Sequence, residues 1–359
     1  MMPMRKILLS FIVIVVTWSA AVTAYADDSV ANGERHFTFT LAPGVIREQV
    51  RFKNRFGFEL CADLYKPADA QPEQKFPAIA VGGPYGAVKE QSSGLYANEL
   101  ASQGFITLAF DPSYTGESSG EPRNMSSPDI NTEDFSACVD YLSNRSDVEA
   151  GNIGILGICG FGGVALNAAQ SDPRIKAIAH VSGTNMHWVQ SQGMGNSANT
   201  PDARKARRKA DAEKRTLQFA NPVRERDGGV LQDQPEDALQ YNKDYTEYYK
   251  RPRGYHPNSA NSNSGMDASA WISWVNTPLL ERIEEIEAAV LILAGENAHT
   301  RYMGEAAFKQ LKGDNKGIVI VPDAVHCDLY DGGPDHNKIP WDTVNGFFKK
   351  YLTEEKFRK

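Results

Sequence analysis

Three side chains in this 359-residue chain have the types and the order along the chain that covalent nucleophilic catalysis needs. Cys159 stands in GILGICGFGG (154–163), where an apolar strand turns sharply into a helix. Such a turn lifts a side chain clear of the sheet, and the helix N-terminus offers it free N–H groups and positive potential. For a thiol, that potential favours the thiolate. Glu296 closes the later apolar run AAVLILAGE, and His326 follows the last one, GIVIVPDA. His326 would take the proton from Cys159 and later give it to a leaving group. Glu296 would hold the imidazole in one tautomer and stabilise its charge, with Asp323 and Asp328 as alternative acids beside the histidine. An oxyanion needs two donors. Gly160, next to the nucleophile, supplies one N–H. Tyr85, in GGPYGAVKEQ (82–91), supplies the other through its backbone or its hydroxyl. His299 shares the loop of Glu296 and either contacts substrate or packs there.

The motif departs from the usual G-x-S-x-G elbow, with Cys159 for Ser and Phe161 for the second Gly. Taken alone it reads equally well as an active thiol or as a structural cysteine in a Gly-rich turn. The ordered partners at two later strand ends favour the catalytic reading.

The elements that must position these residues alternate. VIREQVRFKN and GFELCADLYKP read as two strands joined at Arg55–Phe56. FPAIAVGG, FITLAFD, NIGILGIC, IKAIAHVSG, AAVLILAGE and KGIVIVPDA read as buried strands. Between them lie helical patterns, among them TEDFSACVDYLSNR with Thr132 as its N-cap and IPWDTVNGFFKKYL, and the regular pattern resumes after the insertion at LLERIEEI. This rhythm predicts an α/β fold with a mostly parallel, doubly wound sheet. It breaks over residues 184–278, a polar and aromatic insertion after the sixth core strand that suits a cap. Its basic run ARKARRKADAEKRTLQFA reads as a solvated helix, and GYHPNSANSNSG as a low-complexity loop. Trp188, Tyr248, Trp271 and Trp274 are its candidate pocket walls, or else its own small core.

A net charge of −7 argues against nucleic acid as a partner. Arg5 and Lys6, the apolar run at 7–22 and A-Y-A at 24–26 read as a secretory signal cleaved after Ala26. This predicts a secreted or periplasmic protein with no stable membrane span after cleavage. The expected organisation is a signal peptide at 1–26, core at 27–183, cap at 184–278 and core again at 279–359. Four cysteines in a chain this long make no disulfide scaffold. Cys61 and Cys138 read as buried core thiols, whereas Cys327, beside His326, is a possible disulfide partner for Cys159. The histidines are too scattered for a metal site, and no cofactor motif is present.

The ordered set GGPYGAVKEQ, FITLAFDPSYTGESSGEPR, IGILGICGFGG, LAGENAHTRY and VPDAVHCDLYDGG resembles the α/β-hydrolase superfamily. It is most similar to the dienelactone-hydrolase-like branch, related to X-Pro dipeptidyl peptidases and cocaine-esterase-type enzymes. The resemblance implies an α/β-hydrolase fold and a Cys159 nucleophile, with Phe161 as the extra residue of a longer elbow. It also implies a small-molecule acyl substrate. Two departures stand out: the acid loop carries Glu296 instead of the usual Asp, and the first glycine of the oxyanion loop replaces a common His. The functions this predicts are an exported ester, thioester or lactone hydrolase, an X-Pro-type peptidase, or a non-catalytic binding protein on the same fold.

Overall fold

A computed structural model describes residues 35–221 and 223–355. The leader and its cleavage point at Ala26 lie outside the described residues. Strands β1 (Val45–Lys53) and β2 (Glu59–Pro67) pair antiparallel across the expected turn, closed by the Gly57 N–H on the Asn54 carbonyl at 2.9 Å. Then follow β3 (Phe76–Gly82), α1 (Ser92–Ser102), β4 (Ile106–Phe110), α2 (Pro128–Ser143), β5 (Val148–Ile158), α3 (Gly160–Ser171) and β6 (Ile175–Val181). With β9 (Ala289–Gly295) and β10 (Lys316–Val321), the strands join one eight-stranded sheet of order β1-β2-β4-β3-β5-β6-β9-β10. Every pairing from β4 onward through the sheet is parallel. Parallel strands covered by helices on both faces lose their polar alternation, and accordingly β3 and β9 (Ala289–Gly295) are buried along their whole length.

The insertion falls between β6 and β9, as expected. It holds α4 (Met186–Gln192), α5 (Pro201–Ala220), the short strands β7 (Arg226–Gly228) and β8 (Gly265–Asp267), and between these α6 (Gln240–Tyr249). The basic α5 is solvated, with Asp211 and Gln218 its buried residues. The chain closes with α7 (Arg301–Gln310), β10 (Lys316–Val321), α8 (Asp328–Asp331) and α9 (Trp341–Thr353). No helix of the described residues is long and apolar enough to cross a membrane.

One local expectation needs correction. Helix α2 starts one turn before Thr132, because Ser127 accepts from the Ile130 N–H and Pro128 fits the first turn. Thr132 instead donates to the Pro128 carbonyl. LLERIEEI forms a single 3-10 turn at Ile283–Glu285, buried through Ile283. GYHPNSANSNSG is an ordered plug: Ser259 Oγ donates to the Gly86 carbonyl at 2.7 Å, and Asn261 Nδ2 to the Tyr85 carbonyl at 2.7 Å. Short polar side chains look like linker in a sequence, yet here they satisfy backbone groups that the oxyanion loop leaves open.

Candidate active site

Cys159 sits where β5 becomes α3, with φ 56° and ψ −125°. Cysteine rarely adopts this conformation, which costs roughly 1–3 kcal/mol and persists only where the surroundings enforce it. They do so here: the Cys159 N–H donates to the Val181 carbonyl, and its own carbonyl accepts from Gly162 and Thr184. Gly157 permits the bend, because a Cβ there would lie 2.0 Å from the Phe161 carbonyl oxygen. Gly160 permits the approach of Tyr85, whose ring would stand 2.3 Å from a Cβ at that position. Phe161 is fully buried among Phe110, Phe135 and Tyr85. Its role is to anchor the start of α3 in the core.

Burial pushes the Cys159 thiol up from its ordinary value. The hydroxyls of Tyr330, Thr184 and Tyr245 and the Gly160 N–H favour its thiolate and pull the other way. Thr184 Oγ1 is 3.9 Å from the sulfur. His326 is wholly buried, and both of its ring nitrogens are engaged: Nδ1 with Thr300 Oγ1 at 2.7 Å and Nε2 with the Tyr330 hydroxyl at 2.9 Å. Burial, then the neighbouring His299 and His180, hold it well below the ordinary histidine value, so it rests neutral.

Glu296 does not reach the histidine. It is exposed, and its carboxylate accepts from the Asp323 N–H at 3.0 Å. Asp323 is an exposed turn residue at φ 56°. Asp328 accepts from the Val325 N–H and from Arg253. Thr300 thus occupies the place expected of an acid. The strand end was read correctly, but the backbone at 296 points its side chain outward, and the chain comes back to His326 four residues later. Nothing pairs Cys159 with Cys327, and Cys61 and Cys138 are buried free thiols as expected.

Gly160 stands at the sulfur. The Tyr85 hydroxyl is engaged, donating to Asn131 Oδ1 at 3.1 Å. His299 lies in the site: its ring centroid is 4.7 Å from that of His326, and it stacks on Tyr241 at 4.5 Å. Trp271 is partly exposed and packs edge-on against Tyr85, while Trp188 lies partly exposed on α4. Tyr248 and Trp274 are fully buried core residues, not walls. Tyr245, Tyr241, Thr300, Thr184 and Tyr330 were not anticipated. Two signals mark some of them: the i, i+4 stripe of Tyr241 and Tyr245 in QYNKDYTEYY, and Tyr330 four residues beyond His326.

Burial lowers the imidazoles of His180 and His299 to about 4. Each is therefore expected to titrate by NMR near pH 4. A folded-state value below the ordinary 6.5 means that the stability each contributes is full above pH 6.5 and is lost as pH falls towards 4. A midpoint near 6.5 for either ring would contradict this.

A family model described as alpha/beta hydrolase fold matches residues 90–333. The protein PA2218 of Pseudomonas aeruginosa is 44% identical over 322 residues, 88% of this chain and 83% of its own. Its crystal structure has a TM-score of 0.83 to this fold, covering 88% and 97% of the two chains. YcjY of Escherichia coli is 34% identical across 76% of this chain and 88% of its own. A protein of Aspergillus aculeatus named thiohydrolase aneE is 31% identical over 133 residues, 37% of this chain and 40% of its own. The chain belongs to the alpha/beta hydrolase fold family and is a hydrolase.

Proposed function

We propose that the protein is an exported acyl hydrolase that cleaves an ester, thioester or lactone through a thioester on Cys159. The observation that carries this reading is the strained elbow, which holds Cys159, a partly exposed residue, beside the Gly160 N–H and in one cluster of hydroxyls with the neutral His326. Cys159 attacks the acyl carbon as its proton passes to His326. The oxyanion is met by the N–H groups of Gly160 and Tyr85. The imidazolium returns the proton to the leaving group, and water then attacks the thioester with the same histidine as base. Thr300 replaces the carboxylate of the expected Cys-His-Glu set: it orients the ring but brings no charge to offset the imidazolium. The insertion covers the site, with Tyr241, Tyr245 and Trp271 against substrate. The name of the A. aculeatus relative supports thioester chemistry, and the leader sequence supports export.

Mature protein mixed with short-chain p-nitrophenyl esters or an acyl thioester and quenched within seconds is expected to carry one acyl group, which peptide mass spectrometry maps to Cys159. Turnover with no acyl adduct on Cys159, and no selective labelling of it by iodoacetamide, would overturn the reading. Absence of both turnover and labelling would favour a binding protein on this fold.

A further inference from the structure

We propose that Tyr330 is a catalytic proton relay, its hydroxyl carrying the Cys159 proton to Nε2 of His326. The inference rests on Cys159 being the nucleophile and goes beyond it, since the usual arrangement hands the thiol proton directly to the imidazole. Neither ring nitrogen of His326 is open for that here. Nδ1 meets Thr300 at 2.7 Å and Nε2 meets the Tyr330 hydroxyl at 2.9 Å. The same hydroxyl favours the Cys159 thiolate, against the burial that disfavours it. The phenol therefore occupies the place at Nε2 that a thiol donating directly would need.

The phenol is held there by its surroundings. Tyr330 is fully buried, with its ring edge-on to Tyr248 at 5.0 Å and to Tyr249 at 6.3 Å. The preceding carbonyl, of Leu329, accepts from the Tyr96 hydroxyl at 2.8 Å. Arg253 ties down helix α8 through the Cys327 carbonyl, Asp328 and Asp331. Swinging the hydroxyl away from Nε2 would mean dismantling this aromatic box.

The transfer balances. As the sulfur–carbon bond forms, the S–H proton moves to the Tyr330 oxygen while the Tyr330 O–H proton moves to Nε2. The phenol ends neutral, and the charge resides on the imidazolium. Two steps taken separately would pass through a tyrosinate, which burial makes costly. The two moves are therefore concerted. In the tautomer this requires, Nδ1–H donates to Thr300 Oγ1, which explains how a hydroxyl serves where a carboxylate was expected. The proton returns to the leaving group along the same path.

Tyr330→Phe keeps the ring and removes the hydroxyl. In the full mature chain it is expected to lower p-nitrophenyl ester turnover by about 100-fold or more, the usual scale of a lost proton-transfer group. It should also move the pH profile of Cys159 alkylation by iodoacetamide to higher pH. Acting in series, Tyr330→Phe and His326→Gln combined should cost no more than His326→Gln alone. Turnover within threefold of wild type with an unchanged alkylation profile would overturn the relay, as would losses that multiply in the double variant. Cys159→Ala separates the two ideas. If it retains turnover, the nucleophile assignment falls and takes the relay with it. If it is inactive while Tyr330→Phe behaves as wild type, only the relay falls.

Discussion

Replacing Cys159 with alanine is expected to reduce ester or thioester turnover by about 10³-fold or more, leaving only what substrate binding and the oxyanion donors contribute. The fold should survive, because the surrounding hydrogen bonds run through the Cys159 backbone. Cys159→Gly sharpens the test. At φ 56° and ψ −125° a glycine relieves the strain that alanine keeps. The glycine variant should therefore be as inactive as the alanine variant yet more stable than it by about 1–2 kcal/mol. Urea denaturation of both variants, alongside initial rates, checks this. If the glycine variant proves no more stable than the alanine one, the backbone at 159 is not strained, and the picture of an enforced elbow is wrong.

The second large effect concerns the loop that carries Tyr85. Lys89 is fully buried and donates to Glu90 at 2.9 Å and Asp111 at 3.0 Å, and it also meets Glu117. Arg35 joins the same cluster, bidentate on Asp63 and bound to Glu90. The Lys89 N–H and the Glu117 N–H also close on the Asp111 carboxylate. A buried cluster of this kind adds little net stability when intact, but removing one member strands the others in low dielectric, at about 3–5 kcal/mol. Lys89→Met is expected to destabilise by that amount. It should also weaken activity, because residues 83–91 carry Tyr85, whose ring packs against Gly160. Burial pushes the Asp111 carboxyl up to about 6 even beside the Lys89 ammonium. Without Lys89 it rises further, and a raised carboxyl favours the folded state at low pH and opposes it as pH increases. The deficit of Lys89→Met should thus be larger at pH 8 than at pH 5. A uniform deficit across that range, measured by urea denaturation, would exclude a stranded Asp111 as its cause. Adding Asp111→Asn should recover part of the loss, since neighbouring changes in one network do not add.

Much of this protein follows from short-range pattern. The strands announce themselves as apolar runs because a parallel sheet covered on both faces has no polar side, and the elbow announces itself through glycines that its turn demands at Gly157 and Gly160. Chain order then puts Cys159 and His326 at strand ends on the same edge of the sheet, since parallel strands deliver their C-terminal ends together. Tertiary structure decided the rest. The sequence promised an acid after β9, but a strand end fixes a backbone position and not the direction of a side chain: Glu296 turns to solvent, and Thr300 meets the histidine instead. Tyr330 stands four residues beyond His326 in the sequence, but its hydroxyl acquires a role only where α8 sets it against the imidazole. The polar loop at 254–265 reads as low complexity, yet its serine and asparagine side chains close the backbone of the oxyanion loop. In each case, local spacing specifies which backbone atoms meet. Which side chains fill the last three ångströms depends on contacts from distant segments, which no local pattern encodes.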